Sequence, residues 1–397
     1  MRVTELRYAQ HIGRAFKVRW IVDGRSKVPD TGAASILASK GIEVIKPDAI
    51  LSPPYPRNNV ELEPWPVSDR DVAPEVLDPC YVVGAIYSPP GGIPQIQHMT
   101  NTIVCPSLPQ PMLDQVTDNT DEEIERVKEA IIRAHCMDSY QEKLPRFFEI
   151  TRPGWNYPLE YGTPVRRKNK SLSYQLILLL DQLFPEATTR HLSENVKFQV
   201  MLKHSDKLMQ FQHHAAFVLS SRTPVASPFS KGERDINSDL MPIPDIHPLS
   251  PFLHVKRLTN YSQEEFYGVS SSKAFYPHTV FIHNNRPKLR SSDEQFSAIT
   301  LIKAFSLAVA YAKLCKKTGD GDLERPIVLQ IVHNNRNKYH LGVFQLNTLD
   351  MTGSTKNIFW SHPVEMLYDT CSFKGAEATL EGYNPKIFSL LKAFHLQ

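Results

Sequence analysis

Apolar residues recur at helical spacing in two stretches of the middle of the chain. Thr120 and Glu123 have the spacing of a capping box, and the apolar positions that follow them predict an amphipathic helix. Residues 171–183 are rich in leucine and end before Pro185, which cannot continue a helix. This second stretch therefore predicts a buried helix.

The C-terminal third contains the longest helical pattern. Ser292 and Gln295 form a second capping box, and the apolar residues after them cover the whole circumference as far as Leu314. Such a helix must be almost surrounded by other parts of the protein. Asn384 and Pro385 are the residue types that begin helices, so a final helix is predicted after them.

Short runs of β-branched and aromatic residues predict strands between these helices. They are residues 198–202, 215–219, 279–283, 326–332 and 339–347. The first two would form a hairpin around Asp206, and the last two are joined by asparagine-rich turn residues. We therefore expect a mixed α/β (α+β) fold in which antiparallel hairpins pack against long helices.

Proline divides the chain further. Fourteen of the 31 prolines lie between Pro47 and Pro111, which predicts an extended N-terminal segment without its own core, and six more in 224–251 predict a long loop. The predicted regions follow from these boundaries. They are a basic arm or mitochondrial import sequence (1–29), a Pro-rich extended segment (30–118), a middle α/β region (119–250) and a C-terminal α/β region (251–397).

Charge is concentrated at the N-terminus. The total of +3 does not by itself indicate a nucleic-acid-binding protein, but residues 1–29 hold seven basic and two acidic residues, a net +5 that leaves −2 for the rest. Arginine-rich, acid-poor composition is typical of mitochondrial import sequences. The alternative is a basic surface helix or RNA-binding extension, in which Arg14, Lys17 and Arg19 would contact RNA.

A second group of basic residues precedes the predicted helix of residues 171–183. Arg166, Arg167, Lys168 and Lys170 are four cations within five residues and could neutralise RNA phosphates. The alternative is a solvated loop, because charged runs are common on protein surfaces. The run lacks the aromatic spacing of an RNA-recognition module, so we expect contacts to phosphates and shape.

Catalytic signatures are missing from the sequence. The common phosphate, dinucleotide, zinc-protease and esterase motifs do not occur, so we assign no catalytic, cofactor or metal residues. A metal-dependent enzyme using His204, Asp206 and His213 is the alternative, but adjacent His213 and His214 should point to opposite faces of a strand.

The cysteines and the apolar runs bear on the compartment. Five widely spaced cysteines without a C-x-x-C pair indicate a reducing compartment, such as the cytosol or the mitochondrial matrix. No run of eighteen apolar residues occurs, and Lys303 interrupts the nearest candidate, so no membrane span is predicted.

Four blocks of sequence surround the long C-terminal helix in a fixed order. They are FYPHT (275–279), LERPIVLQ (323–330), GVFQLNTLD (342–350) and MLY (366–368). Together they resemble a family of animal mitochondrial large-subunit ribosomal proteins. The resemblance implies a non-catalytic structural component in the mitochondrial matrix, without a cofactor, that binds ribosomal RNA and other large-subunit proteins, including a paralogue as a heterodimer. A ribosome assembly or RNA-processing factor is the alternative.

Overall fold

A computed structural model describes most of the chain. The described residues are 33–43, 45, 78–85, 87–144, 161–228, 242–247, 249–269, 275–285, 292–316, 318–319, 321–374 and 377–397. The chain divides into two compact units, Met1–Ala73 and Pro74–Gln397. In the first unit the described element is helix α1 (Ala33–Ser39).

The described part of the second unit mixes helices with strands. The helices are α2 (Gly92–Thr100), α3 (Gln110–Leu113), α4 (Asp121–His135), α5 (Val165–Leu183), a 3-10 helix (Pro185–Thr189), α6 (Asp293–Cys315) and α7 (Pro385–Leu396). The strands are β1 (Cys80–Gly84), β2 (Thr102–Cys105), β3 (Glu142–Lys143), β4 (Tyr161–Gly162), β5 (His191–His204), β6 (Lys207–Ser221), β7 (Lys256–Leu258), β8 (Phe266–Tyr267), β9 (Tyr276–His283), β10 (Asp322–Asn335), β11 (Lys338–Thr348), β12 (Asn357–Ser361), β13 (Glu365–Met366), β14 (Thr370–Lys374) and β15 (Glu377–Glu381). This is the mixed α/β class predicted from the sequence.

Eleven of the described strands form one mixed sheet. Its main order is β2-β12-β11-β10-β9-β6-β1-β7, with β13 on β11 and with β5 pairing β6 and β8. The antiparallel hairpins β5–β6 and β10–β11 are those predicted from the apolar runs. Three pairs are parallel, β1 with β6, β9 with β10 and β2 with β12, and they join segments far apart in sequence.

Both faces of the sheet are buried. Successive residues of a strand point to opposite faces, so Leu329 and Ile331 of β10 join one core with α6, while Val328 and Val332 join a second core with α4, α5 and α7. Helix α6 is buried almost all round, as its apolar pattern predicts. Among the described helices it alone is long and apolar enough to cross a membrane, but it lies mostly inside the protein, as core helices do.

Residues 80–113 differ from the predicted extended segment. They form β1, α2, β2 and α3, and β1 lies between β6 and β7. The strands are possible because CYVVG and TIVC contain no proline. Pro94 lies in the first turn of α2, where its missing N–H has no helical partner to lose.

Helix α5 begins earlier than its apolar pattern indicates. It starts at Val165, six residues before Ser171, and Pro164 is its N-cap residue. Arginine and lysine are good helix formers, so the basic run extends the helix back to this proline. The four cations therefore lie on a helix and do not form a loop.

Candidate nucleic-acid interface

The basic run occupies the first two turns of α5. Arg166 and Arg167 are exposed, and Lys168 and Lys170 are half-buried. The N-terminus of a helix carries a partial positive charge from its unpaired N–H groups, so cations there weaken the helix. Acidic partners on other elements offset part of this repulsion.

Arg167 is held by the segment that follows α4. Its Nε donates a hydrogen bond of 2.5 Å to Asp138 Oδ2, and its guanidinium lies 4.8 Å from the centre of the Tyr140 ring. The same hydrogen bond holds the pKa of Asp138 below its usual range. Arg167 is therefore already paired with a carboxylate inside the protein.

Lys170 is paired with the sheet. Its Nζ lies 2.7 Å from Glu194 Oε2 on β5 and 5.9 Å from the centre of the Phe217 ring on β6. Both charged side chains are more than 40% exposed, so the ion pair contributes little to stability. It nevertheless lowers the positive charge that Lys170 offers to a partner.

Arg166 and Lys168 form no ion pair with any other described residue. Lys168 lies close to the end of α4, where burial and, to a smaller extent, the Lys168 ammonium lower the pKa of His135 to about 4. These two cations are therefore the members of the run that remain available to an external anion.

The fold brings Arg336, from a distant part of the chain, next to α5. It is exposed in the turn between β10 and β11, and its backbone N–H donates a 3.0 Å hydrogen bond to Asn169 Oδ1 of α5. The buried Asn169 amide also donates to Asn285 Oδ1, at 3.1 Å. The sequence did not indicate Arg336, because 166 residues separate it from Lys170 and no local pattern marks it. We call Arg166, Lys168 and Arg336 the basic surface.

The remaining RNA-contact candidates belong to the N-terminal basic arm. Arg14, Lys17 and Arg19, and the whole predicted import sequence, lie outside the described residues. Their role in RNA binding stays a prediction from composition.

The two histidines of the alternative metal site, His204 and His213, lie far apart. His204 pairs with Lys207 across the hairpin and His213 pairs with Phe198, so about six residues of strand, ~20 Å, separate them. His213 is buried and His214 is exposed, which confirms that they point to opposite faces. Among the described residues, no three His, Cys, Asp or Glu side chains are placed to hold a metal ion.

Two other histidines lie near a turn and are nevertheless buried. The sequence places His333 and His340 close to the β10–β11 turn and so predicts that they are exposed to solvent, but both are fully buried under α6. The expectation is wrong because the hairpin lies in the middle of the sheet, between β9 and β12. Burial keeps both imidazoles neutral, with the pKa of His340 lowered to about 3.

A cavity of about 630 Å³ lies between the end of α6 and the starts of β9 and β10. Its charged lining mixes both signs, with Lys316 and Arg325 beside Asp322 and Glu324, and the described lining residues include no histidine or cysteine. It lies at the opposite end of β10 from Arg336, so it is separate from the basic surface.

Comparison with known proteins identifies relatives that are similar to this chain in sequence. No protein-family model matches it. The large ribosomal subunit protein mL37 of Gallus gallus is 26% identical over 289 residues, 70% of this chain and 63% of the relative. The Rattus norvegicus mL37 is 26% identical over 301 residues, 73% of this chain and 66% of the relative.

The chain is similar in sequence to mL37. The Mus musculus mL37, 24% identical over 301 residues, agrees with the other two. The match spans just under two thirds of the length of the first two mL37 proteins. The predicted resemblance to a large-subunit ribosomal protein is confirmed, and the mL37 relatives support the predicted mitochondrial location.

Proposed function

We propose that the chain is a structural component of the mitochondrial large ribosomal subunit and supports translation by binding ribosomal RNA and neighbouring proteins. The observation that carries this proposal is the similarity to three vertebrate mL37 proteins, which extends over 70–73% of the chain. A ribosomal component needs broad contact surfaces more than a reactive cleft.

The basic surface is the part of the molecule that best suits RNA. Arg166 and Arg336 are exposed and Lys168 is half-buried, and the backbone of Arg336 is hydrogen-bonded to Asn169 of the helix that carries the other two. Three cations near the start of α5 would suit a phosphate backbone. Cations at a helix N-terminus lower the stability of the isolated fold. An anionic partner such as RNA would neutralise these cations and remove this loss of stability.

Protein partners suit a neighbouring face of α5. Tyr174 and Leu178 are spaced one helical turn apart, and each keeps about two fifths of its surface exposed. Large apolar side chains paired on an exposed helix face are typical of protein contacts. This face is where other large-subunit proteins, or a paralogous protein in a heterodimer, would pack.

Sedimentation tests the proposal directly. An epitope-tagged chain, expressed in mitochondria, is expected to co-sediment with the large subunit and with assembled, translating ribosomes. A chain found only in slow, ribosome-free fractions would contradict the proposal. A chain found on immature large-subunit particles but missing from translating ribosomes would instead indicate an assembly factor.

The salt dependence of binding tests the basic surface. Replacing Arg166, Lys168 and Arg336 with alanine should release the chain from the particle at lower KCl, and should reduce the slope of log K against log salt by about 0.7–0.9 for each lost phosphate contact. The matched control replaces Arg126, Lys128 and Arg133, which face solvent on α4 and pair with its own glutamates. Equal behaviour of the two variants would exclude RNA from the basic surface.

A further inference from the structure

Two cysteines far apart in sequence have their thiols in contact. The Sγ atoms of Cys136 and Cys371 are 3.7 Å apart, although 235 residues separate them. Cys136 is the C-cap residue of α4, and Cys371 is the second residue of β14. Both side chains are half-buried, and neither cysteine is in a disulfide.

The backbone holds both residues in place. The Cys136 N–H donates a 2.8 Å hydrogen bond to the Ile132 carbonyl, and Cys371 pairs with Leu380 in the β14–β15 hairpin. A disulfide has an S–S distance of about 2.05 Å, so each sulfur must move by less than ~1 Å. A movement of this size is within the reach of side-chain rotation.

We propose that Cys136 and Cys371 form a redox modification site, which hydrogen peroxide converts to an intramolecular disulfide. One thiol ionises, its thiolate attacks the peroxide, and the O–O bond breaks to give a sulfenic acid and hydroxide. The hydroxide takes up the proton that the thiol released and becomes water. The second thiol attacks the sulfenic sulfur, the S–S bond forms, and the oxygen leaves as water. Two thiols are oxidised by one peroxide, which is reduced to two waters.

The surroundings set the speed of this reaction. Burial, followed by the nearby Cys136 thiol, raises the pKa of Cys371 to about 12, while the Lys168 ammonium acts in the opposite direction. Little thiolate of Cys371 is therefore present at neutral pH, and oxidation should be slow and should accelerate as the pH rises.

The disulfide would attach the C-terminal hairpin to α4. Cys371 and Leu380 pack against the second core, which the buried residues Val127 and Ile131 of α4 also line. Cross-linking residues 136 and 371 closes a long loop in the unfolded chain, so the oxidised protein should unfold roughly 3–6 °C higher.

Peptide mapping tests the proposal on the full chain. The reduced protein is incubated with hydrogen peroxide, its remaining thiols are blocked with N-ethylmaleimide, and it is digested without a reductant for mass spectrometry. The expected product is a cross-linked pair of peptides containing Cys136 and Cys371, which dithiothreitol separates. Cys136→Ser and Cys371→Ser should each abolish it, whereas Cys105→Ser, a partly exposed control on β2, should not.

Two results would overturn the proposal. The first is alkylation or over-oxidation of both thiols, one by one, without the cross-linked peptide at any peroxide concentration. The second is disulfide-linked dimers in place of the intramolecular product. The unfolding temperature gives an independent measurement, because peroxide should raise it in the parent protein and in Cys105→Ser but not in Cys371→Ser.

Discussion

Buried polar side chains under α6 are joined by hydrogen bonds to one threonine. The Thr300 hydroxyl lies 2.8 Å from Nδ1 of His333 and 2.8 Å from Nδ1 of His340, and His340 Nε2 lies 2.9 Å from Ser361 Oγ. The Phe296 ring stacks on His333, with the ring centres 3.9 Å apart. Buried polar groups are costly unless they are paired, so these contacts fix α6 in one position over β10 and β11.

The buried histidines make stability depend on pH. Burial lowers the pKa of His283 and His340 to about 3, whereas an exposed histidine titrates near 6.5. Between these two pH values, the unfolded chain therefore binds protons at the two histidines that the folded chain does not bind. The buried histidines do not change the free energy of unfolding above pH 6.5, and they lower it as the pH falls from 6.5 towards 3.

Replacing one of these histidines should reduce this loss. In His340→Gln the free energy of unfolding should fall less steeply below pH 6.5, by about 1.4 kcal/mol per pH unit for the one missing proton. Urea unfolding at several pH values between 4.5 and 7.5 measures the slope. The exposed control His247→Gln should retain the slope of the parent protein, and an unchanged slope in His340→Gln would contradict the burial argument.

The local elements follow the sequence closely because their signals are local. Both predicted capping boxes form: Thr120 Oγ1 accepts from the Glu123 N–H and Glu123 Oε2 accepts from the Thr120 N–H, and Ser292 and Gln295 do the same. The parallel strand pairs and the insertion of β1 between β6 and β7 depend on contacts between distant segments. Periodicity within a short window does not contain that information.

For the basic surface too, the sequence predicted one part and could not predict another. Local composition was enough to select Arg166 and Lys168, because cations cluster there along the chain. It could not show that Asp138 and Glu194 pair with Arg167 and Lys170, or that Arg336 lies beside α5. These contacts exist only once the sheet has formed.

The β10–β11 turn combines strain with a charge. Arg336 has φ of +60°, a left-handed conformation that disfavours residues with a Cβ and that asparagine or glycine would adopt more easily. Arg336→Gly should therefore raise the free energy of unfolding by about 0.5–1 kcal/mol. The same change should weaken binding to the large subunit at moderate salt, because it removes one cation of the basic surface.

The β5–β6 turn supplies a matched control. Ser205 has φ of +54° in another two-residue turn but carries no charge. Ser205→Gly should raise stability by a similar amount and leave the salt dependence of binding unchanged. Urea unfolding and sedimentation at increasing KCl measure the two effects, and equal binding of both variants would exclude a role for the Arg336 cation.

At the scale of the whole molecule, the second unit contains both of its cores. The first core on the α6 face and the second core on the α4, α5 and α7 face consist of residues from Cys80 onward, within the part of the chain that the structure describes. Within the described residues of the second unit, the sheet and the helices therefore bury each other. Such a unit has what independent folding requires.

Truncation should separate the two units. A fragment of residues 74–397 should fold cooperatively and unfold within about 2 °C of the full chain, as measured by circular dichroism, because a loss of 1 kcal/mol would shift the midpoint of so large a unit by roughly 2–4 °C. A fragment of residues 121–397 should fail to fold. It lacks Val83, Ile96 and Met99 of the first core, and losing β1 leaves β6 without its parallel partner. If the longer fragment unfolded well below the full chain, residues 1–73 would contribute to the core that the second unit alone is expected to complete.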